Sequence, residues 1–538
     1  VPTPEQLRLR PQVEQPPPDA LPQRPPIPRE LGKPGDELTL DVSAYAVDPS
    51  APEALRRALP SLTAPYTGKA RSYEDLVNAV AAVTRFLQRD LGYYLGYAYL
   101  PEQSPEDGVV RIAVLEGRLD EVILNWPEKM PVRRSVVEAY LAHLKPGEIL
   151  RVRDVERVVF LVNDLRGLTA RFEVKAGRTP GTASLVVTVQ PEERLSTRAE
   201  FDTLGSRYSG VYRVSLISTV SSPTGSGDGL VGNVLTTTTG GLKFLIAGYT
   251  LPVGSDGLKL GASASYVDYQ LDKDLLTLDL HGDATTVTLY GLYPVVRSRN
   301  LNLFTLVSAD SKKFNDQQGP GVVQHKTSND LQLTVSGDAR DDLLSGGVNT
   351  YELTLIDGHI TFPRGTTTDN ATNYGLARVA ASRLQNLVNN RLLLFTSLRS
   401  QYAFKNLDST EQFQLGGAGG VRAFAPGEGT ADSGAVLSVE LRLLPPEAWF
   451  GRISREIVFS AFIDAGWAKL RHDPATEVIT NPAFDNTVSL SGFGFGGVWD
   501  RSHDFAVRLY LAWPISGTPV NDPVQKRPRI LLTANKTF

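Results

Sequence analysis

"DFAVRLYLAW", residues Asp504–Trp513, alternates strictly. Phe505, Val507, Leu509, Leu511 and Trp513 share one face of an extended chain, and Arg508 and Tyr510 share the other. Side chains in a strand point to opposite sides in turn, so this is a strand with one apolar face. "IVFSAFIDAG" repeats the pattern: Ile457, Phe459, Ala461 and Ile463 oppose Val458, Ser460, Phe462 and Asp464. "AVLSVELRLL" sets Leu437, Val439, Leu441 and Leu443 against Ser438, Glu440 and Arg442. From Leu195 to Phe538 strand follows strand, separated by Gly, Asp, Asn and Ser clusters. A soluble sandwich also alternates, but so long a run with no second domain type favours a barrel. Hairpins recurring every ~40 residues predict about 16 strands, an even-numbered transmembrane β-barrel with an apolar outside and a polar lumen. Phe538 ends the sequence as an aromatic at a strand end, suited to a membrane-interface girdle.

The composition agrees. The chain has 538 residues, enough for two to four units. Its net charge of −4 gives no reason to expect a nucleic-acid partner. It has no cysteine, which excludes disulfides, thiolate zinc sites and a cysteine nucleophile. No apolar run reaches the ~18 residues of a membrane helix, which says nothing against spanning strands of about 9–11 residues. The sequence begins at Val1, and an N-terminal signal is expected to have been removed.

Two further regions precede the barrel. The first 34 residues hold 11 of the 36 prolines and read as an extended leader, with at most a short helix between Pro4 and Gln15. Residues 35–193 are mixed α/β. "LTLDVSAY" is a strand. "SYEDLVNAVAAVTRFLQRDLGY" spaces Leu76, Val80, Val83 and Leu87 as a helix, with Ser72 and Asp75 as its cap and Gly92 as its stop. "VVRIAVLEG" and "LDEVILNW" are strands, "RRSVVEAYLAHL" and "VRDVERVVFLVNDL" are amphipathic helices, and "LTARFEVKAG" and "TASLVVTVQP" are closing strands. Two small β-α-α-β-β units fit, over 35–116 and 117–193.

These features together resemble the TpsB-type two-partner secretion transporters, the hemolysin-activation/secretion family of the Omp85 superfamily. "VVRIAVLEGRLDEVIL" is similar to the junction of two POTRA domains, and "NDLRG" (163–167) stands where the family has Asn-Asp-x-Pro-Gly. "FDTLGSRYSGVYR" and "SSPTGSGDGL" resemble the opening barrel strands. "GGAGGVRAFAPGEG" (416–429) with "DSGAVLSVELR" resembles the long sixth loop and the strand after it, and "FIDAG" resembles the Phe-x-Asp-x-Gly strand. The resemblance implies an outer-membrane barrel (194–538) with two periplasmic POTRA domains, working as a monomeric pore in outer-membrane lipid. It would export one large β-helical exoprotein of the TpsA type, taken by its N-terminal secretion domain. The sixth loop, about 403–433, would fold into the lumen and pair Arg422 with Asp464. Val421, Ala423, Phe424, Pro426, Gly427 and Glu428 would form its tip. The family pattern is often Val-Arg-Gly-Tyr; here Ala423 and Phe424 follow the arginine, so the tyrosine hydroxyl is missing. Family members often carry an N-terminal plug helix, for which the short proline-rich leader is a poor match.

"SLSGFGFGGVW" puts Gly492, Gly494 and Gly496 on one face. They either leave the lumen wall bare for a close neighbour or permit strand curvature. No helix follows and the phosphate-binding lysine is absent, so this is not a nucleotide loop. The six histidines are scattered, with no HExxH, GxSxG or calcium-loop pattern, so neither an enzyme, a metal nor a cofactor is expected. The acidic runs "DARDD" (338–342) and "DKD" (272–274) read as solvated turns. With no P-loop, export would proceed without ATP, the unfolded partner adding a strand to a POTRA edge. An Omp85-type insertase and a passive porin are the alternatives.

Overall fold

In the computed structural model, alternation closes the second half of the chain into a barrel of sixteen antiparallel strands. The structure describes residues 19–22, 39–179, 181–272, 279–319, 322–362, 373–476, 485–502, 504–523 and 527–538. It forms two compact units, which meet in the sequence at Glu192 and Glu193. Numbered within the barrel, the strands are β1 (Leu195–Asp202), β2 (Arg213–Ser221), β3 (Gly229–Thr237), β4 (Leu242–Val253), β5 (Leu258–Gln270), β6 (Leu280–Arg297), β7 (Leu301–Gln318) and β8 (Val322–Asp341). They continue as β9 (Gly347–Thr361), β10 (Asn373–Val388), β11 (Leu392–Ala403), β12 (Ser433–Leu443), β13 (Ile457–Lys469), β14 (Thr487–Arg501), β15 (Phe505–Ser516) and β16 (Arg529–Thr537). Each pairs with its sequence neighbour, and β16 returns to β1 in the register Thr533 with Asp202 through Thr537 with Arg198. Closure matters because lipid offers main-chain groups no hydrogen-bond partner, so an open edge could not be tolerated.

The faces differ as a lipid-embedded barrel requires. Leu331 and Leu333 on β8 are exposed on one side of the strand, while Ser328, Asp330, Gln332 and Thr334 are buried on the other. On β13, Phe459 and Ile463 face outward and Ser460, Phe462 and Asp464 face in. At the end where β1 starts, β10 and β11 are joined by only three residues, whereas residues 444–456, with a helical turn at Glu447–Phe450, join β12 to β13. Asn389 and Asn390, at φ of 46° and 56°, lie between β10 and β11, in the left-handed backbone that asparagine tolerates.

Three sequence expectations change in detail. Only the ends of "FDTLGSRYSGVYR" are strand: β1 stops at Asp202, β2 starts at Arg213, and a loop joins them. "SSPTGSGDGL" is mostly the turn between β2 and β3, held by buried Asp228, which accepts from Thr224 N, Ser226 N and the Tyr249 hydroxyl. "DARDD" is not a solvated turn either. Asp338–Asp341 end β8, and Asp341 takes two hydrogen bonds from Arg383, at 2.7 and 2.9 Å.

The N-terminal unit contains two β-α-α-β-β arrangements. In the first, Val109–Leu115 is the central strand, parallel to Ala44–Val47 and antiparallel to Tyr97–Tyr99. Two helices, α1 (Glu53–Thr63) and α2 (Tyr73–Arg89), pack on it through Leu55, Leu59, Val83 and Leu87. In the second, the sheet order is Arg118–Asn125, Thr182–Pro191, Leu168–Ala176, covered by α3 (Arg134–Leu141) and α4 (Val152–Asn163). Helix α1 escaped the sequence reading because Pro60 interrupts its pattern, although in the structure Pro60 occupies only the last turn. In "NDLRG", buried Asn163 bonds both main-chain groups of Ala170 and so fixes the turn into strand Leu168–Ala176. The Ser72–Asp75 capping box forms as read. Ser72→Ala is therefore expected to destabilise α2 by about 1 kcal/mol, measurable as faster amide exchange in its first turn.

The expected leader helix from Pro4 to Gln15 lies outside the described residues. Residues 19–22 run beside the edge strand Leu168–Ala176. Phe172 N donates to Ala20 O at 3.1 Å, Asp19 pairs with Arg171 at 2.9 Å, and the Tyr94 hydroxyl donates to Pro22 O.

Candidate functional site: a loop anchored inside the barrel

Residues 404–432 leave β11 and return to β12 after entering the lumen. The glycines make the tip possible. Gly417 turns at φ 108°, and a Cβ on Gly420 would lie 2.0 Å from Leu415 O. Bonds from Val421 N to Leu415 O, Gly417 N to Phe424 O and Gly416 N to Glu428 O fold the segment on itself. Val421, Ala423 and Phe424 become fully buried, packed with Leu415, Val436, Phe462 and Leu490. Phe424 sits in this apolar cluster, so its lack of a hydroxyl leaves no buried polar atom to satisfy.

That turn aims Arg422 at the wall. Its main-chain N and Nε donate to Asp464 Oδ2 at 3.0 and 2.9 Å, and Nη2 donates to Oδ1 at 2.9 Å. Nη1 donates to Glu440 Oε2 at 2.8 Å. The guanidinium lies over the Phe462 ring, 3.4 Å from its centre, and 5.4 Å from that of Tyr510. Asp464 is fully buried, and Glu440 is nearly so. Glu440 Oε1 also accepts from Arg442 and Ser460. Two arginines thus share two carboxylates in a nearly dry site, where fork-shaped bonds are strong and a lone charge is costly.

The three wall glycines underlie this arrangement. A Cβ on Gly492 would lie 2.5 Å from the Ala423 Cβ, one on Gly494 2.4 Å from Phe462 Cζ, and one on Gly496 2.3 Å from Tyr510 Cδ1. Their bare faces admit the loop tip and the two rings that flank Arg422. The far side of the tip is fastened too. Buried Glu428 accepts from Val520 N, Asn521 N and Asp522 N at 2.7–2.9 Å, Gly427 O accepts from the Asn521 side chain, and Arg529 donates to Phe424 O. Pro426 lines a cavity of about 470 Å³ between the loop and the wall, with Gly416–Gly419, Arg378 and Arg399.

Glu440, Phe462 and Tyr510 were placed on the correct faces by alternation but not connected to Arg422. Gly466 was not singled out, although it lies on the same face two residues past Asp464, where a Cβ would crowd Val421 at 3.1 Å. Spacing by two from Asp464 was the available signal for Phe462 and Gly466.

A closed sixteen-stranded barrel behind POTRA-type units is the outer-membrane transporter architecture of the Omp85 superfamily, with the barrel in the outer membrane and the units in the periplasm. Residues 181–496 match the haemolysin secretion/activation protein family ShlB/FhaC/HecB, and residues 45–117 match the ShlB-type POTRA domain. The chain belongs to that family, and is a TpsB-type transporter of two-partner secretion. The heme/hemopexin transporter protein HuxB of Haemophilus influenzae strain 86-028NP is 25% identical over 486 residues, covering 88% of this chain and 82% of HuxB. The outer membrane transporter CdiB of Dickeya dadantii strain 3937 is 24% identical over 467 residues, covering 85% and 79%. Among solved structures, CdiB from Escherichia coli superposes with a TM-score of 0.73 at 19% identity, over 95% of this chain and 93% of that one. BamA from Haemophilus ducreyi lacking POTRA domains 1–3 gives 0.53 at 15% identity, over 93% and 100%, a likeness of fold.

Proposed function

We propose that this chain is a monomeric pore that takes one large unfolded exoprotein through its POTRA domains and passes it through the barrel lumen without ATP. The observation that carries this reading is the loop held in the lumen by Arg422, Asp464 and Glu440, a polar gate on a polar path. Recognition works by strand addition at a POTRA edge, which reads main-chain groups and needs no compact side-chain motif. Edge strand Leu168–Ala176 supports this, since Phe172 N already donates to a main-chain oxygen from outside the sheet, that of Ala20. Folding of the cargo outside the cell prevents its return. The partner is a β-helical protein of the TpsA type, engaged through its N-terminal secretion domain.

Deletion from the host tests the reading. Proteins released to the medium and those resident in the outer membrane are compared with wild type. Loss of one or a few very large extracellular proteins, with other barrels unchanged, is the expected result. Broad depletion of other barrels would instead mean an insertase. No change in either would leave a passive porin, to be measured by conductance.

A further inference from the structure

The tip of the lumen loop is only one of its fastenings. Its ascending arm, between β11 and the glycine-rich turn, carries Asp408 and Glu411, and both are buried. Asp408 Oδ1 accepts from Lys326 Nζ at 2.8 Å. Glu411 accepts from Lys312 Nζ and, at 3.3 Å, from Arg378 Nη2. Lys312 is 1% exposed and also pairs with Asp330 at 2.9 Å. Gln401 Nε2 donates to the Glu411 main-chain O at 2.9 Å. These wall partners stand on β7, β8, β10 and β11, whereas Arg422 is held by β12 and β13. The loop therefore meets two sectors of the wall, and the cavity beside it is lined by both Arg378 and Gly416–Gly419.

Burying this many charges is a poor way to gain stability, because desolvation offsets much of the attraction. It is an effective way to hold a segment in one position and no other. The two fastenings also differ in kind. Arg422 is gripped by a fork, by a main-chain bond, by ring stacking and by an apolar tip. Asp408 accepts from a wall lysine, and Glu411 from a lysine and from Arg378, and a lysine ammonium is a point charge on a flexible stem.

We propose that Asp408 and Glu411, with Lys326, Lys312 and Arg378, form a second and more readily released latch, which positions the ascending arm and sets how far the lumen is closed while the Arg422 tip stays in place. This rests on reading the lumen as the export path, but its test needs no cargo. The chain has no cysteine, so Gly419→Cys supplies a single reporter at an exposed position where a side chain meets no atom within 4 Å. The full chain is reconstituted in liposomes and planar bilayers. Labelling of Cys at 419 by a polyethylene-glycol maleimide, and single-channel conductance, are compared with and without Asp408→Asn/Glu411→Gln. Labelling faster by about tenfold, with larger conductance and preserved heat-modifiable mobility, is the expected result. Unchanged labelling and conductance in a folded barrel would overturn the latch, leaving the export reading to the deletion experiment. If the double variant loses its heat-modifiable mobility, Asp408→Asn alone, which retains the Glu411–Lys312 pair, is read by the same two measurements. Faster labelling then supports the latch and unchanged labelling overturns it.

Discussion

Asp464→Ala is expected to destabilise the folded barrel by about 3 kcal/mol and to stop export. Three of the four hydrogen bonds that Arg422 donates end on this carboxylate. Without it, the guanidinium keeps only Glu440, and a main-chain N–H is left facing a cavity in an otherwise buried site. Loss of one partner costs more than the pair contributes, because the other charge stays desolvated. Asp464→Asn should fall between, since its amide oxygen can still accept while its charge is gone. Arg422→Lys should also be intermediate, because it keeps the charge but loses the fork and the stacking on Phe462. A double reversal, Arg422→Asp with Asp464→Arg, should not restore wild-type behaviour, because the new carboxylate would face Glu440. The temperature at which heat-modifiable mobility is lost measures stability, and the amount of large exoprotein in the medium measures export. Wild-type values for both in Asp464→Ala would make the contact dispensable.

How much of this was legible depends on the physics of each feature. The barrel was readable because lipid on one side and water on the other force a period of two, as in Phe459, Ala461 and Ile463 against Ser460, Phe462 and Asp464. The Ser72–Asp75 cap was readable because it is local. Helix α1 was not, because Pro60 hides a helix whose stability comes from burying Leu55 and Leu59 in a tertiary core. Arg422 and Asp464 were paired through a family resemblance, since nothing in their spacing brings together residues 42 positions apart. Lys312, Lys326 and Arg378 escaped for the same reason. Lys312 already meets Asp330, and Arg378 meets Gln401, on the wall itself, but Asp408 and Glu411 reach these cations only when the loop arm arrives from 82 residues beyond Lys326 and 99 beyond Lys312.

Gly492→Val should reproduce much of the Asp464→Ala phenotype without altering any charge. The added Cβ would stand 2.5 Å from the Ala423 Cβ and 3.0 Å from Trp513 O. β14 is fixed by its ladders to β13 and β15, so the loop tip yields rather than the wall. Moving Ala423 moves its neighbour Arg422 away from Asp464, and bonds of this kind weaken steeply once their angles open. The expected results are a lower temperature for loss of heat-modifiable mobility, a larger single-channel conductance and reduced export. Gly232→Ala is the control, because its Cβ would meet only Ile246 O, at 4.0 Å. Combining Gly492→Val with Asp464→Ala separates the two explanations offered for the wall glycines. If Gly492 acts by admitting the loop, both changes break one contact and the double variant is little worse than either single one. If it acts through strand curvature, the losses are independent and add.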